Sequence, residues 1–398
     1  MVPGGRKKLY IYIDAAAALW SNHRVFGNKT GLEPLEGERM KLKVVVSTLV
    51  AAACMAGSAM AADVSSVNVV GYFKLDVPGA RRQIMALPMT KIPDIRGVIT
   101  ANNSTTITVG ESLVPGRYNW EATGVDAAGA SYCFVEVTQS NSPFVGRHFY
   151  ITNNTASILT LKDALTDINA GDLVNCGYKI TSAYRIRDVF GAPGSPVLDG
   201  GNSSSDTNAD LITFWSPTSG GGAGAWVSSV YYNKTANPTL GSHWVRGTTV
   251  VDNSPIDRDE GFLVTRRGAA TNLTVAGEVS GNSQKVVAGA GQRIFAGGMT
   301  VVDTTFATSG LTNSPGFQGG TSSSDTNATL ITMWLPESGG GAGAWTTSVY
   351  FNKTANPTLG GHFVRGTTVV DTNVIAAGTG YLIKNPGGLQ WLRVSPLQ

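Results

Sequence analysis

The sequence predicts an all-β protein made of two tandem β-sandwich-like units, the first carrying an inserted β-rich segment of about 91 residues. Three observations support this fold class. A long passage occurs twice, the two copies differ mainly at alternate residues, and short apolar runs are separated by turns rich in Gly, Asn and Pro.

The repeat covers 53 residues. Residues 200–252 and 319–371 are identical at 43 of 53 positions, without a gap, at an offset of 119 residues. A repeat of this length indicates one folding unit used twice, because each copy must satisfy the same packing constraints.

The differences between the copies predict strands. Leu211, Thr213 and Trp215 recur unchanged in the second copy, whereas the intervening Phe214 and Ser216 are replaced. A period of two is typical of an extended strand with unlike faces. Since the variable face still carries large apolar residues, we expect both faces to be covered, as in a sandwich.

A weaker similarity locates the insertion. Residues 77–89 match residues 287–299 at six of 13 positions, at an offset of 210. Because this offset exceeds that of the main repeat, the first unit (62–275) is predicted to carry its extra segment near 90–190. The second unit (276–398) is the minimal form. The one helix predicted within the extra segment covers 162–169, where Leu165 and Ile168 fall on one face.

The N-terminal region predicts export. Residues 40–61 combine a positive start, an apolar run and an Ala-x-Ala site, which is the pattern of a secretory signal peptide cleaved between Ala61 and Ala62. Residues 1–39 are interpreted as a misannotated extension ahead of a true start at Met40. We therefore expect the mature chain in the periplasm, at the cell surface or outside the cell, with no transmembrane helix.

Charge argues against a nucleic-acid partner. The whole chain has a net charge of +3, but residues 1–61 hold 8 basic and 4 acidic residues, so the mature chain has a net charge of −1. No basic patch is present in the sequence. Two cysteines remain after cleavage, Cys133 and Cys176, and an exported chain could join them in one disulfide or keep two buried thiols.

Short motifs in the mature chain suggest a family. The segments Val69-Val70-Gly71-Tyr72-Phe73, 146–156 and Gly171-Asp172 resemble those of secreted β-rich proteins from verrucomicrobial bacteria. The resemblance implies export and a β-rich fold. It implies no activity and no functional residues.

The sequence contains few signals for chemistry. HExxH, CxxC and GxSxG motifs are missing, and the single His of each repeat copy, His243 or His362, is typical of a structural role. We therefore predict no enzyme, no cofactor and no metal site. An enzyme with a site in the inserted segment would need a pocket where carboxylates or His148 converge.

Repeated aromatic residues are the remaining candidates for binding. Trp226, Trp345, Tyr231 and Tyr350 could stack on sugar rings, or they could belong to the core, where aromatic residues supply much of the buried area. The sequence thus favours an exported structural or adhesive protein, whose partners could be glycans or other surface proteins. The alternatives are a carbohydrate-binding protein and, third, an enzyme. The sequence does not determine an oligomeric state.

Overall fold

A computed structural model describes residues 69–119, 131–138, 142–219, 224–234, 240–297, 301–336, 343–353, 359–393 and 395. The protein is 45% strand and 3% helical, which confirms the predicted all-β class. The predicted signal peptide and the extension before it lie outside the described residues. Within those residues, no helix is both long and apolar enough to cross a membrane.

The described residues of the first part of the chain include nine strands. Their bounds are β1 Val70–Val77, β2 Arg82–Ala86, β3 Ile95–Asn102, β4 Thr106–Val109, β5 Tyr118–Asn119, β6 Ser131–Val137, β7 His148–Asn154, β8 Ile158–Leu161 and β9 Gly177–Ser182.

The chain then passes through a short helix into the first repeat copy. These elements are β10 Tyr184–Arg185, α1 Ile186–Phe190, β11 Leu211–Ser216, β12 Ala225–Trp226, β13 Val230–Tyr232, β14 Trp244–Arg246, β15 Thr249–Val250, β16 Pro255–Ile256, β17 Gly261–Thr265 and β18 Thr271–Glu278.

The last part contains the second copy. Its elements are β19 Gln284–Ala288, β20 Arg293–Gly297, β21 Thr304–Thr305, a 3-10 helix Leu311–Asn313, β22 Leu330–Thr332, β23 Trp334–Leu335, β24 Ala344–Trp345, β25 Val349–Asn352, β26 His362–Arg365, β27 Thr368–Val369, β28 Val374–Ile375, β29 Gly380–Lys384 and β30 Leu389–Arg393.

The two copies build sheets with the same strand order. The first repeat sheet runs β2-β17-β11-β13-β14-β15, and the second repeat sheet runs β20-β29-β22-β25-β26-β27. In this pairing Ala86 lies opposite Gly261 and Gly297 lies opposite Gly380. Ala86 of β2 and Gly297 of β20 are therefore structurally equivalent, which gives an offset of 211 residues. The sequence similarity between the same segments has an offset of 210. Residues 72–398 form one compact unit, so the division at 275/276 stays a prediction.

Strands β3 to β9 form a separate sheet that closes on itself. Its order is β5-β6-β7-β8-β4-β3-β9, and β6 also pairs with β9, which completes the ring. We call it the closed sheet. Burial alternates along β4 and β8, as expected for strands with an inner and an outer face. Its core includes five fully buried residues: Ile99, Ile107, Val135, Ile151 and Ile180.

The predicted helix at 162–169 is wrong. These residues form turns, and Leu165 and Ile168 are buried in the core of the closed sheet. The backbone N–H groups of Lys162 and Leu165 donate to the carbonyl oxygens of Tyr150 and Ser104. These backbone N–H groups are therefore hydrogen-bonded to neighbouring segments, and the apolar side chains are buried without a helix.

The two repeat sheets contact each other through paired, equivalent hydrogen bonds. The Nε1–H of Trp215 donates to the Arg293 oxygen at 2.9 Å, and its counterpart in Trp334 donates to the Arg82 oxygen at 2.8 Å. The backbone N–H of Gly297 likewise donates to the Asp259 oxygen at 2.8 Å. Each copy thus contacts the other with the same residues, as in an isologous interface.

Each copy also contains a His–Asp pair. The Nδ1 atom of His243 lies against Asp252, and the other oxygen of Asp252 accepts from the Trp244 backbone N–H at 2.7 Å. His362 and Asp371 repeat the arrangement. Each pair links the start of β14 or β26 to the residue after the next strand, and the structural role of the two histidines stays a prediction.

Cys133 and Cys176 are both buried and are not joined in a disulfide. The Sγ of Cys133 lies 3.6 Å from the Ser182 hydroxyl. Of the two alternatives left open by the sequence, the structure therefore has the pair of buried thiols and no disulfide.

Gly297→Ala tests the contact between the repeat sheets. A Cβ at this position would lie 2.5 Å from the Ala86 Cβ and 3.2 Å from the Glu260 oxygen. We expect the free energy of unfolding to fall by about 1–3 kcal/mol because the sheets must separate to admit the methyl group.

Gly110→Ala is the matched control, measured in the same denaturant titration. Its Cβ would meet only ordinary contacts, 3.6 Å from Thr100 Cγ2. We expect a change within about 0.5 kcal/mol. Equal effects at the two glycines would contradict close packing between the sheets.

Candidate functional site

A pocket of about 460 Å³ lies where the closed sheet meets the two repeat sheets. Its walls come from β7 of the closed sheet, the turn between β16 and β17, the end of β11, and strands β19 and β20. The lining residues are Arg147, His148, Tyr150, Asp163, Trp215, Pro217, Asp257, Asp259, Glu260, Lys285, Val286, Val287, Ile294 and Phe295.

The turn at 257–260 supplies three of the four acidic residues. The backbone N–H of Glu260 donates to the Asp257 oxygen at 3.2 Å and closes the turn. The second copy has the same turn, closed by Thr379 and Ala376 at 3.1 Å. The backbone is therefore shared, whereas the side chains Asp-Arg-Asp-Glu of the first copy are replaced by Ala-Ala-Gly-Thr in the second.

His148 lies between two carboxylates of this turn. Its Nδ1 is 3.5 Å from Asp259 Oδ2, and its Nε2 is 3.8 Å from Asp257 Oδ1. Burial lowers the pKa of His148, the neighbouring Arg258 lowers it further, and Asp259 and Asp257 oppose this shift. The imidazole is therefore neutral near pH 7.

Asp257 has one satisfied oxygen and one unsatisfied oxygen. The Tyr150 hydroxyl donates to Oδ2. Burial and the Asp257 charge raise the pKa of Tyr150 well above its usual value, so this phenol stays a donor. Among the described residues, Oδ1 of Asp257 has no hydrogen-bond partner although the atom itself is buried. Nε2 of His148 lies 3.8 Å from it.

Glu260 is a half-buried acid with an unusual pKa. Burial raises the pKa of Glu260 to about 8, repulsion from Asp257 adds to the shift, and Arg246 opposes it. A hydrogen bond from the Asp257 backbone to the Glu260 carboxyl group also opposes the shift, but burial outweighs it. Glu260 is consequently protonated at neutral pH.

A buried ion network lies beneath the pocket and joins the closed sheet to the acidic turn. Arg258 donates to Glu136 on β6 at 2.6 Å, and its Nε lies 3.2 Å from Asp259. The Nζ of Lys179 is 3.5 Å from Glu136 and 3.6 Å from Glu278. Burial alone would lower the pKa of Arg258, but Asp259 and Glu136 raise it, so the guanidinium stays charged.

Two aromatic residues that line the pocket, Trp215 and Phe295, belong to an aromatic cluster. Trp215 packs edge-to-face on Trp226 at 5.3 Å between ring centroids, and Trp226 packs on Phe295 at 5.2 Å. The Trp215 ring is held by its hydrogen bond to Arg293 and by close contact with Gly224, where a Cβ would lie 2.3 Å from the indole. Its orientation is therefore fixed before any ligand arrives.

The four aromatic residues singled out from the sequence lie elsewhere. Trp226 is half-buried and Trp345 is 38% exposed, and neither lines this pocket. Tyr231 and Tyr350 are buried, at 5% and 6% exposure, so neither presents a ring face to solvent. The repeat aromatic residue that lines the pocket is Trp215.

The sequence does distinguish the acidic turn, but the compared repeat ends at residue 252, before the turn begins. Extending the alignment beyond residue 252 at the same offset sets Asp257 against Ala376 and Glu260 against Thr379. The loss of every charge in one copy distinguishes a specialised turn from a structural one. No such signal points to His148, because the closed sheet occurs once.

The arrangement suits recognition of hydroxyl or ammonium groups beside an aromatic ring. Carboxylates accept hydrogen bonds, and Trp rings pack on apolar faces and attract cations. The described residues include no cluster of three or more His, Cys, Asp or Glu side chains that could hold a metal ion.

Comparison with known proteins adds no relative: no family model matches the chain, and no curated protein or solved structure matches it significantly. The resemblance to secreted verrucomicrobial proteins therefore stays a prediction.

Arg258→Met tests the buried network. Removing the guanidinium takes the hydrogen-bonded cation from Glu136 and Asp259 and leaves Glu136 only Lys179, at 3.5 Å, so we expect the free energy of unfolding to fall by about 3–5 kcal/mol. Arg117→Met is the control, because its ion pair with Asp94 is largely exposed and its loss should cost at most about 1 kcal/mol. Similar losses in both variants would contradict a special role for Arg258.

Glu260→Gln tests the raised pKa of Glu260. A folded-state pKa above the unfolded value means that the folded state binds a proton that the unfolded state releases, so stability falls as pH rises from about 4.5 through about 8. The variant lacks this group. We expect parent stability, relative to the variant, to fall by on the order of 2–4 kcal/mol between pH 5 and pH 9, measured by denaturant unfolding. A constant difference between the two proteins would refute the shift.

Proposed function

We propose that the chain is an exported, non-enzymatic adhesive protein that binds carbohydrate in the pocket between the closed sheet and the repeat sheets. The observation that carries the proposal is the pocket itself, which brings the Asp257 side chain and the fixed Trp215 ring together. Polar acceptors beside an aromatic face match a sugar ring, which has hydroxyl groups at its edge and apolar C–H groups on its faces.

The size of the pocket supports a small ligand. At about 460 Å³ it lies within the range of about 300–1,000 Å³ that is usual for small-molecule sites. This volume accommodates one or two sugar rings. Because the buried ion network joins the closed sheet to the acidic turn, we expect the site to be formed in the absence of ligand.

The difference between the copies also supports specialisation. The second copy keeps the backbone of the turn but has no charged side chain at positions 376–379. If the acidic residues served only to form the turn, the second copy would not fold it without them. Their presence in the first copy therefore favours a binding role, while the second copy supplies the scaffold.

A purely structural role is the second candidate. It is favoured by the two repeat sheets, whose equivalent contacts extend across the junction. An enzyme remains the third. The pocket brings His148 and carboxylates together, which is the arrangement that an enzyme would require, so sugar turnover is measured beside binding.

Glycan-array binding followed by calorimetry tests the proposal. We expect the parent to bind a defined set of glycans without cleaving them. Asp257→Ala, which introduces the residue of the second copy, should weaken binding by about tenfold or more, since a charged hydrogen bond contributes roughly 1.5–3 kcal/mol.

A symmetric pair of variants provides the control. Trp215→Ala and Trp334→Ala remove equivalent indoles with equivalent hydrogen bonds, but only Trp215 lines the pocket. We expect the first to abolish glycan binding and the second to preserve it. Equal losses, or a parent that binds no glycan, would refute the proposal, and released sugar would favour the enzyme.

Export is tested by N-terminal sequencing of the secreted protein from a bacterial host. The signal-peptide pattern predicts a mature chain that starts at Ala62. A protein retained in the cytoplasm with residues 1–39 intact would contradict export.

A further inference from the structure

We infer that Lys179 and Glu136 join in an intramolecular isopeptide bond, an amide between the lysine amine and the glutamate carboxyl group that forms without a second protein. The two residues belong to the buried ion network beneath the pocket but do not line the pocket itself. The inference is therefore independent of carbohydrate binding. The ion network described above is the state that precedes the bond.

The two side chains lie directly opposite each other on neighbouring strands. Strands β6 and β9 are antiparallel, and Glu136 is the register partner of Lys179. Side chains at opposed positions of a sheet are closer to each other than diagonal neighbours are. The pairing of β6 with β9 is also the one that completes the ring of the closed sheet. A bond between these two residues would therefore tie the seam at which that sheet closes.

Both side chains are fully buried although they point away from the core of the closed sheet. Their neighbours along each strand belong to that core, so the alternation of a strand directs Glu136 and Lys179 to the other face. On this face Arg258 and Glu278, which come from outside the closed sheet, lie against them, and each of the two is 0% exposed. Bulk water, which would solvate the ions and hydrolyse an activated carboxyl group, does not reach them.

The reacting amine and the oxygen that it would displace have no hydrogen bonds. The Nζ of Lys179 lies 3.5 Å from Oε1 of Glu136, and among the described residues neither atom has a hydrogen-bond partner. A buried charge without hydrogen bonds carries a large desolvation penalty. Because condensation replaces both charges by a neutral amide, the buried site favours a bond that water would otherwise oppose.

Two further groups supply the proton transfer and the charge stabilisation that the reaction requires. Oε1 of Glu278 lies 3.6 Å from the Nζ of Lys179, where it can accept an ammonium proton. Arg96 donates to the other oxygen of Glu278 and holds this carboxylate in place. The guanidinium of Arg258 donates at 2.6 Å to Oε2 of Glu136, where negative charge develops when the amine attacks.

The reaction balances as the loss of one water molecule. The ammonium group of Lys179 gives one proton to Glu278, and the neutral amine attacks Cδ of Glu136, so that the Nζ–Cδ bond forms. The nitrogen then gives up a second proton. These two protons leave with Oε1 as water when the Cδ–Oε1 bond breaks, and Glu278 is again a carboxylate. Oε2 becomes the amide oxygen and still accepts the hydrogen bond from Arg258, and no oxidant, reductant or activated co-reactant takes part.

An exposed ion pair provides an internal control. Lys91 and Asp188 are 2.6 Å apart and hydrogen-bonded, closer than Lys179 and Glu136, but both side chains are partly exposed to solvent. Because water solvates their charges, the ion pair is the stable state there. We therefore expect Lys91 to stay unmodified in the same sample.

Mass spectrometry of the full chain tests the bond. We expect the intact protein to be lighter than its sequence by one water molecule. After reduction and alkylation, trypsin should release residues 118–147 linked to residues 163–185, because cleavage at Lys179 is blocked, together with a linear fragment that ends at Lys91. Reduction is required because these two fragments also carry Cys133 and Cys176, which a disulfide would join.

Glu278→Gln separates the reaction from mere proximity. Glutamine has nearly the same size but does not accept the ammonium proton, so we expect the two fragments to be recovered unlinked and the missing water to be regained. Glu260→Gln is the matched control, because it makes the same substitution at an acid that forms no ion pair with Lys179. This control should stay linked and should keep the mass of the parent.

The parent protein alone decides the proposal, even if Glu278→Gln does not fold. A parent of full sequence mass, cleaved by trypsin at Lys179, would overturn it. A linkage that disappears on reduction would identify a disulfide and would overturn it as well. A linkage that persists in Glu278→Gln would refute proton transfer to that residue, and a link at Lys91 would refute the requirement for burial.

Discussion

The buried ion pair between Arg258 and Glu136 is the interaction on which the rest of the site depends. Glu136 lies on β6 of the closed sheet, and Arg258 lies in the turn of the first copy, so one contact joins two separately built sheets. Both residues are almost completely buried, and their charges can be accommodated there only as a hydrogen-bonded pair. This requirement fixes the turn against β7 and sets the positions of Asp257, Asp259 and Glu260 around His148.

The two copies share the backbone of one turn but not its side chains. The turn at 257–260 and its counterpart at 376–379 are closed by the same hydrogen bond, yet only the first faces the closed sheet with charged side chains. The contacts between the repeat sheets are equivalent in the two directions, as shown by the indoles of Trp215 and Trp334. The closed sheet breaks this equivalence, because the pocket at the acidic turn forms where the closed sheet meets the first copy.

The three carboxyl groups of the acidic turn differ in how far their neighbours stabilise a negative charge. Asp259 is neutralised by Arg258, and Asp257 receives a hydrogen bond from Tyr150 on one oxygen only. Burial, with added repulsion from Asp257, raises the pKa of Glu260, so this carboxyl group keeps its proton. Perturbed pKa values of this kind cluster at functional sites.

The sequence by itself determined the all-β class and the equivalence of the two copies, because both follow from local patterns: a period of two along strands such as β11, and a constant offset of 119 residues. It failed at 162–169, where bonds to Tyr150 and Ser104 override an apolar spacing typical of a helix. Only the tertiary structure decided the site. His148 and Asp257 are far apart in the chain, and their approach depends on how the closed sheet packs on the first copy, which no local pattern encodes.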